Sequence, residues 1–383
     1  MKRNPDSMGI YLHIPFCQRK CSYCDFYSLS GANTELYDQY TDCLIRELTL
    51  RTAEYRLPLI SIYFGGGTPS LLAPQHIERI LDTICKLYLP QGDPEITLEV
   101  NPATISRQGL EDLRQAGVNR LSIGVQSFVD RELHLLGRMH DSQQAGQCIE
   151  WSHQAGFDNI SLDLIYGIPA QNKEDWRGNL LQAVDYGPQH ISTYLLQLEP
   201  HVPLARRITS GTLAMLTDDE EADLYDLARE CLREADYLHY ELSNFARPGF
   251  KCRHNIGYWS VGAYLGVGAG AVSYDGRQRR LNIPDLEAYL TALSKNIPLP
   301  QQILETMGRR QQLAEALVMG LRLVEGIDRD TLGGRFGIEN WADFQPIIDH
   351  MVSEGLLMVD HNRVYLSPGA YFISNAVLSE FLE

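Results

Sequence analysis

No stretch of about 18 consecutive apolar residues occurs in this chain, so no membrane-spanning helix is expected. Positive charge is the scarcer sign: 33 Lys and Arg stand against 49 Asp and Glu, a formal net charge of −16. That balance argues against a polyanionic partner such as bulk nucleic acid. Two small basic groups, Arg206-Arg207 and Arg277, Arg279 and Arg280, are expected to be solvated surface. The start, MKRNPDSMGI, has a basic pair but no apolar core segment, so no signal peptide is read. Met8 offers an alternative start to Met1, because the first motif begins three residues later. Cysteine is too sparse and irregular for a disulfide framework: eight in 383 residues, which points to a reducing cytosol. Five of them, Cys43, Cys85, Cys148, Cys231 and Cys252, are scattered and expected to act mostly as small buried hydrophobes. With 44% hydrophobic and 21% charged residues, the chain reads as an ordinary soluble protein of two or three domains.

The remaining three cysteines carry the strongest signal. Cys17, Cys21 and Cys24 are spaced C-x3-C-x2-C within the stretch Tyr11 to Tyr27. Thiolates so close in a loop can converge on a soft metal centre, iron–sulfur or zinc. A structural zinc site wants a fourth ligand and a ferredoxin cluster a fourth cysteine, yet Asp25, Phe26 and Tyr27 follow. Three cysteines on a cubane leave one iron open to a small molecule. Three plain buried thiols, or zinc with a distant fourth ligand, are the other readings of the same residues.

Residues 9–200 alternate strand and helix six times, with strands at Gly9–Ile14, Ile60–Phe64, Ile96–Val100, Leu121–Val125, Ile160–Tyr166 and Ile191–Leu198. Such alternation predicts a parallel sheet with crossover helices. Six units are too few to close an eight-fold barrel, so the sheet is doubly wound or a partial (β/α)6 barrel. In a barrel, chemistry gathers at the C-terminal ends of the strands. Polar and glycine residues recur there: the cysteine loop after the first strand, Gly65-Gly66-Gly67-Thr68-Pro69 after the second, then Glu99, Gln126, Asp163, Gln197 and Glu199. The glycines let backbone N–H groups approach an anion closely, without the Gly-Lys-Ser/Thr of a P-loop. Glu99 and Asp163 are carboxylates in apolar strands and need partners, either ligand hydroxyls or cations, or a structural arginine. Arg138 can supply that pairing, or grip a ligand carboxylate.

Residues 237–300 break the alternation and read as a linker segment, 241–300, between a 1–240 domain and a 301–383 lobe. They hold His254-Asn255-Ile256-Gly257-Tyr258-Trp259, an imidazole beside two aromatics. On chemistry alone an Asn-containing turn followed by core aromatics is the favoured reading, since His-aromatic clusters are common. Gly266 to Ala271 formally fits a dinucleotide fingerprint but lacks the strand–turn–helix context. Beyond 301, helices over Thr306–Leu321 and Ile347–Glu354 precede a hairpin, Leu356–Val359 with Arg363–Leu366. That order predicts a small helical, winged-helix-like lobe. The fold's usual association with DNA does not suit this charge balance.

C-x3-C-x2-C, with aromatic Tyr23 before the third cysteine, resembles the radical S-adenosylmethionine (SAM) superfamily. The surrounding Tyr-x-His-Ile-Pro-Phe-Cys is similar to its coproporphyrinogen-dehydrogenase-like branch. The resemblance covers nearly the whole chain and implies a partial radical SAM barrel. It implies a [4Fe-4S] cluster on Cys17, Cys21 and Cys24. It implies SAM bound by Tyr11, Tyr23, Gly66, Gly67, Thr68, Glu99, Gln126, Arg138 and Asp163. Tyr23, and Ile168-Pro169 after the fifth strand, are expected near adenine. Two functions occur in that branch. One is oxygen-independent coproporphyrinogen III dehydrogenase, which carries a further cysteine where this chain has Phe26, and a longer N-terminal extension. The other is a haem chaperone, whose His-Asn-x-x-Tyr-Trp signature stands intact here and implies haem held by His254, Asn255, Tyr258 and Trp259. The expected function is therefore haem carriage to acceptor haemoproteins, without dehydrogenase activity and with no catalytic residue assigned. A homodimer, and a cytoplasmic protein transiently at the inner face of a membrane, are further implications of the resemblance.

Overall fold

The computed structural model describes residues 7–337 and 341–382. Met1, and with it the choice of start, lies outside the described residues. Twelve strands form the main sheet. In chain order they are β1 (Met8–Ile14), β2 (Leu59–Gly66), β3 (Pro90–Val100), β4 (Arg120–Gln126), β5 (Ile160–Tyr166) and β6 (His190–Leu195). Then come β7 (Leu238–Glu241), β8 (Asn244–Ala246), β9 (Ala263–Val267), β10 (Val272–Tyr274), β11 (Gln278–Asn282) and β12 (Gln301–Thr306). Their spatial order is β12-β11-β10-β9-β1-β2-β3-β4-β5-β6-β8-β7. From β9 to β6 all neighbours are parallel, and antiparallel strands extend both edges. The six-fold strand–helix alternation is present, and the sixth strand ends at Leu195 rather than Leu198.

Alternation within the strands sets two faces. In β1, Met8, Ile10, Leu12 and Ile14 are buried in the core. Gly9, Tyr11 and His13 take the opposite face. Helix Thr34–Arg51 covers this core with Tyr40, Leu44 and Leu48, and its N-terminus is capped by Asn33, which accepts from the Leu36 amide. Helix Ser142–Gln154 opens on a capping box of Asp141 and Gln144.

Residues 241–300, expected as a linker, carry strands of the same sheet. β8 pairs with β6 near one edge, and β9 pairs with β1 on the other side. The chain between them must cross, and it does so with a short helix, Arg253–Trp259, packed on β1 and β2. After β9 the glycine run turns into antiparallel β10, so no helix follows it and the dinucleotide motif is not formed.

The C-terminal lobe has helices Arg309–Gly320, Arg329–Phe336 and Gln345–Ser353. Its sheet holds β13 (Ile327–Asp328), β14 (Leu357–Asp360) and β15 (Arg363–Leu366) in the order β13-β15-β14. Leu313, Phe344 and Phe381 belong to one hydrophobic cluster with the core of the main sheet. No helix among the described residues is long and apolar enough to cross a membrane. Of the basic group near 280, Arg279 pairs with Glu305 and Glu315, and Arg280 with Glu54 and Asp275.

Candidate functional site

At the C-terminal ends of the strands lies a cavity of about 460 Å3. Cys17, Cys21 and Cys24 line it together with Tyr23, Gly66, Gly67, Thr68, Glu99, Gln126, Arg138 and Asp163. These residues come from β1 to β5 and the segments that follow them, and the fold brings them around one cavity. Tyr11 stands just beneath, on the inner face beside Tyr63, with ring centroids 6.2 Å apart.

The cysteine loop is pinned on both sides. The Gly67 amide donates to the Ile14 carbonyl at 2.9 Å and the Thr68 amide to that of Phe16 at 2.7 Å. A Cβ on Gly67 would sit 2.7 Å from the Phe16 carbonyl oxygen, so only glycine allows this approach. Gly66 has φ +110°, and a Cβ there would meet His13 at 2.6 Å. The Ser22 amide donates to the Leu136 carbonyl at 3.0 Å, tying the loop to the turn that carries Arg138.

All three thiols are free and half-buried. Thr68 Oγ1 donates to Cys17 Sγ at 3.5 Å, and Arg138 donates to Cys21 Sγ at 3.6 Å. Among the described residues, no three His, Cys, Asp or Glu side chains are gathered around a single metal ion. Three cysteines followed by Asp25, Phe26 and Tyr27 suit a cubane with one open iron better than a four-ligand structural zinc site. Phe26, where a fourth cysteine is absent, is 67% exposed at the cavity mouth.

Glu99 accepts from Tyr63 Oη at 3.0 Å and from the Gly66 amide at 3.1 Å. Burial, then the nearby Asp163 carboxylate, push its pKa up to about 7. Asp163 accepts from Ser122 Oγ at 2.8 Å, and burial holds its pKa above the usual carboxylate range. Their hydrogen-bond partners are hydroxyls and an amide, and the buried Arg120 guanidinium acts on both carboxylates through its charge. Arg138 donates to Cys21 Sγ and to the Gly124 carbonyl, the latter at 2.8 Å, and its Nε has no partner. Gln126 takes φ 68°, a costly conformation for a non-glycine residue, at a register shift closing β4. Ile168 is buried with Ile165 and Leu196, in a cluster against which Tyr23 packs.

A second cavity, about 650 Å3, lies at the N-terminal ends of β1, β2 and β9. His254 and Tyr258 line it, with Met8, Gly9, Ile60, Ser61, Arg253 and Tyr264 among their neighbours. Glu95 accepts from the Arg253 and His254 amides at 3.1 and 3.2 Å, seating the crossing helix. His254 is 4% exposed. Its Nδ1 meets Ser61 Oγ at 3.0 Å and its Nε2 meets Tyr258 Oη at 2.9 Å. Burial, and then nearby Arg120, push its pKa down to about 3, so the imidazole is neutral. Asn255 and Trp259 do not line this cavity. Trp259 packs with Tyr240 and Leu323 under the Arg322 guanidinium, and its Nε1 has no partner. Cys252 is buried, donates to Glu95 at 3.5 Å and is held protonated, its pKa raised by burial to about 12. It does not line the cavity.

Sequence reasoning missed Tyr63 and Ser61. Both alternate with apolar Ile60, Ile62 and Phe64, and that period of two was the available signal.

Residues 11–181 match the model of the radical SAM superfamily, and residues 308–373 that of the HemN C-terminal domain. The chain is 31% identical over 374 residues to "Heme chaperone HemW" of Bacillus subtilis, covering 97% of this chain and 98% of that protein. It is 33% identical over 382 residues to the protein of the same name in Lactococcus lactis, covering 100% and 98%. In fold it is similar to the coproporphyrinogen III oxidase HemN of Escherichia coli, a radical SAM enzyme, with TM-score 0.84 and 22% identity over 99% of this chain and 91% of that one.

Proposed function

The chain belongs to the HemW family within the radical SAM superfamily, and on that premise we propose that it binds haem and delivers it to acceptor haemoproteins. The observation that carries this reading is the 650 Å3 cavity with His254 and Tyr258 in its wall, a volume within the usual range for small-molecule sites. Met8, Ile60 and Ile256 offer apolar area, Tyr258 and Tyr264 flat faces, and Arg253 a cation for a carboxylate. The neutral imidazole of His254 suits an iron ligand. Both its nitrogens are already bonded, so Ser61 or Tyr258 must give way first. Asn255 and Trp259 then act by fixing the crossing helix rather than by touching haem.

In the upper cavity Cys17, Cys21 and Cys24 would hold a [4Fe-4S] cluster, and the Gly66–Thr68 turn, Glu99, Gln126, Arg138, Asp163 and Tyr23 would hold SAM. The cluster supplies an open iron for SAM and a source of one electron. Around it this chain's residues bind and orient: Glu99 and Asp163 accept from ribose hydroxyls, and Tyr11 backs the wall. The reading extends to a cytoplasmic homodimer that visits a membrane surface to deliver its cargo.

The alternative is decarboxylation of coproporphyrinogen III, and Phe26 in place of a further cysteine speaks against it. Anaerobically reconstituted protein should titrate with haem stoichiometrically and form no protoporphyrinogen from coproporphyrinogen III, SAM and reductant. Many turnovers of product would make the protein a dehydrogenase and end the carrier proposal.

A further inference from the structure

The two cavities open at opposite ends of the same strands, and one layer of rings separates them. Tyr63 belongs to both sides. Its hydroxyl donates to Glu99 in the wall of the upper cavity, at 3.0 Å. Its ring stacks on His254, in the wall of the lower one, with centroids 5.0 Å apart and planes 28° apart. Tyr11 completes the layer, 6.2 Å from Tyr63 and 6.4 Å from His254. Tyr11 in turn bonds His13 at 3.1 Å, and His13 reaches the Tyr27 carbonyl of the cysteine loop at 2.9 Å. There is little slack: a Cβ on Gly65 would meet Tyr11, Tyr63 and Glu99 at 3.0 to 3.1 Å, and one on Gly9 would meet His254 at 3.1 Å.

We propose that Tyr63 couples the two cavities, so that a ligand engaging Glu99 from above tightens haem binding at His254 below. This rests on the placement of SAM and haem given above. The Gly66 amide holds Glu99 Oε2, so a ligand hydroxyl entering from the cavity meets Oε1, the oxygen Tyr63 engages, and crowds that contact. Released from Glu99, Tyr63 no longer holds its ring clamped on the imidazole. His254 must leave Ser61 or Tyr258 to meet iron, and the stacked ring resists that turn. Loosening the stack lowers the cost of the turn. Linkage then requires the reciprocal effect, with haem tightening SAM binding by the same factor.

The test uses full-length protein with its cluster reconstituted and no reductant, so that SAM stays intact. Haem affinity is read from the Soret band with and without saturating SAM, and SAM affinity by calorimetry with and without haem. Wild type should bind haem at least about fivefold more tightly with SAM, the lower end of usual coupling factors, and SAM with haem likewise. Tyr63→Phe keeps the ring and removes the hydroxyl. It should bind haem without SAM about as well as wild type does with it, and SAM should then change nothing. Affinities in wild type that agree within twofold, with both ligands bound, overturn the coupling while leaving the carrier function standing. Coupling that survives Tyr63→Phe overturns the role of Tyr63. Failure of either ligand to bind brings down the function proposal itself, and the coupling with it.

Discussion

Replacing Glu99 with glutamine should weaken ligand binding in the upper cavity and at the same time stabilise the empty protein. In the folded chain its carboxyl is held at about 7 instead of its ordinary 4.5, chiefly by burial and next by Asp163. Keeping it ionised there costs about 3 kcal/mol at most, and less where cavity water reaches it. A group whose pKa is raised on folding contributes stability that is full below the unfolded value and lost as pH rises through the folded one. Wild type should therefore lose stability between about pH 4.5 and 7, and Glu99→Gln should lose less over that window and unfold later at pH 8. Binding goes the other way. An ionised carboxylate accepting from a ligand hydroxyl is worth about 1.5–3 kcal/mol, so SAM affinity should fall by about 10- to 100-fold in Glu99→Gln. In wild type that affinity should drop about tenfold on going from pH 8 to pH 6, a step the variant loses. Thermal melts across pH and calorimetric titration of SAM measure both halves. A variant with unchanged affinity and an unchanged melting profile would refute the placement of Glu99 as a strained binding carboxylate.

Substituting alanine for Cys17, Cys21 and Cys24 together should abolish iron–sulfur absorbance after reconstitution, and retained absorbance would sink the cluster assignment. Gly9→Ala places a methyl 3.0 Å from Ser61 Oγ and 3.1 Å from His254 Nδ1, inside ordinary contact. It should disturb the Soret band and weaken haem binding several-fold while the cluster spectrum stays as in wild type. An unchanged haem titration would remove Gly9 and its His254 contact from the site.

The cysteine loop, the glycine turn and the strand-end carboxylates were legible because each is a local signal. Spacing within a few residues, a period of two, and a helix closed by glycine are all written in consecutive residues. The cavity they form follows once the strands are known to be parallel, since parallel strands deliver their C-terminal ends to one side. The segment 241–300 was misjudged as a linker because strand pairing across more than 200 residues, as between β1 and β9, leaves no trace in either segment alone. The same holds for the histidine motif. Its six residues announce an imidazole and two aromatics, but not that Trp259 packs away from the cavity that Tyr258 faces. By itself, then, the sequence determined the fold class, the three thiols and the ring of polar strand ends. Only the tertiary structure decided that a second cavity, walled by His254 and Tyr258, lies at the opposite end of the same strands, one layer of rings away. Register and crossover are set by burial summed over the whole sheet, and no short stretch of the chain contains that sum.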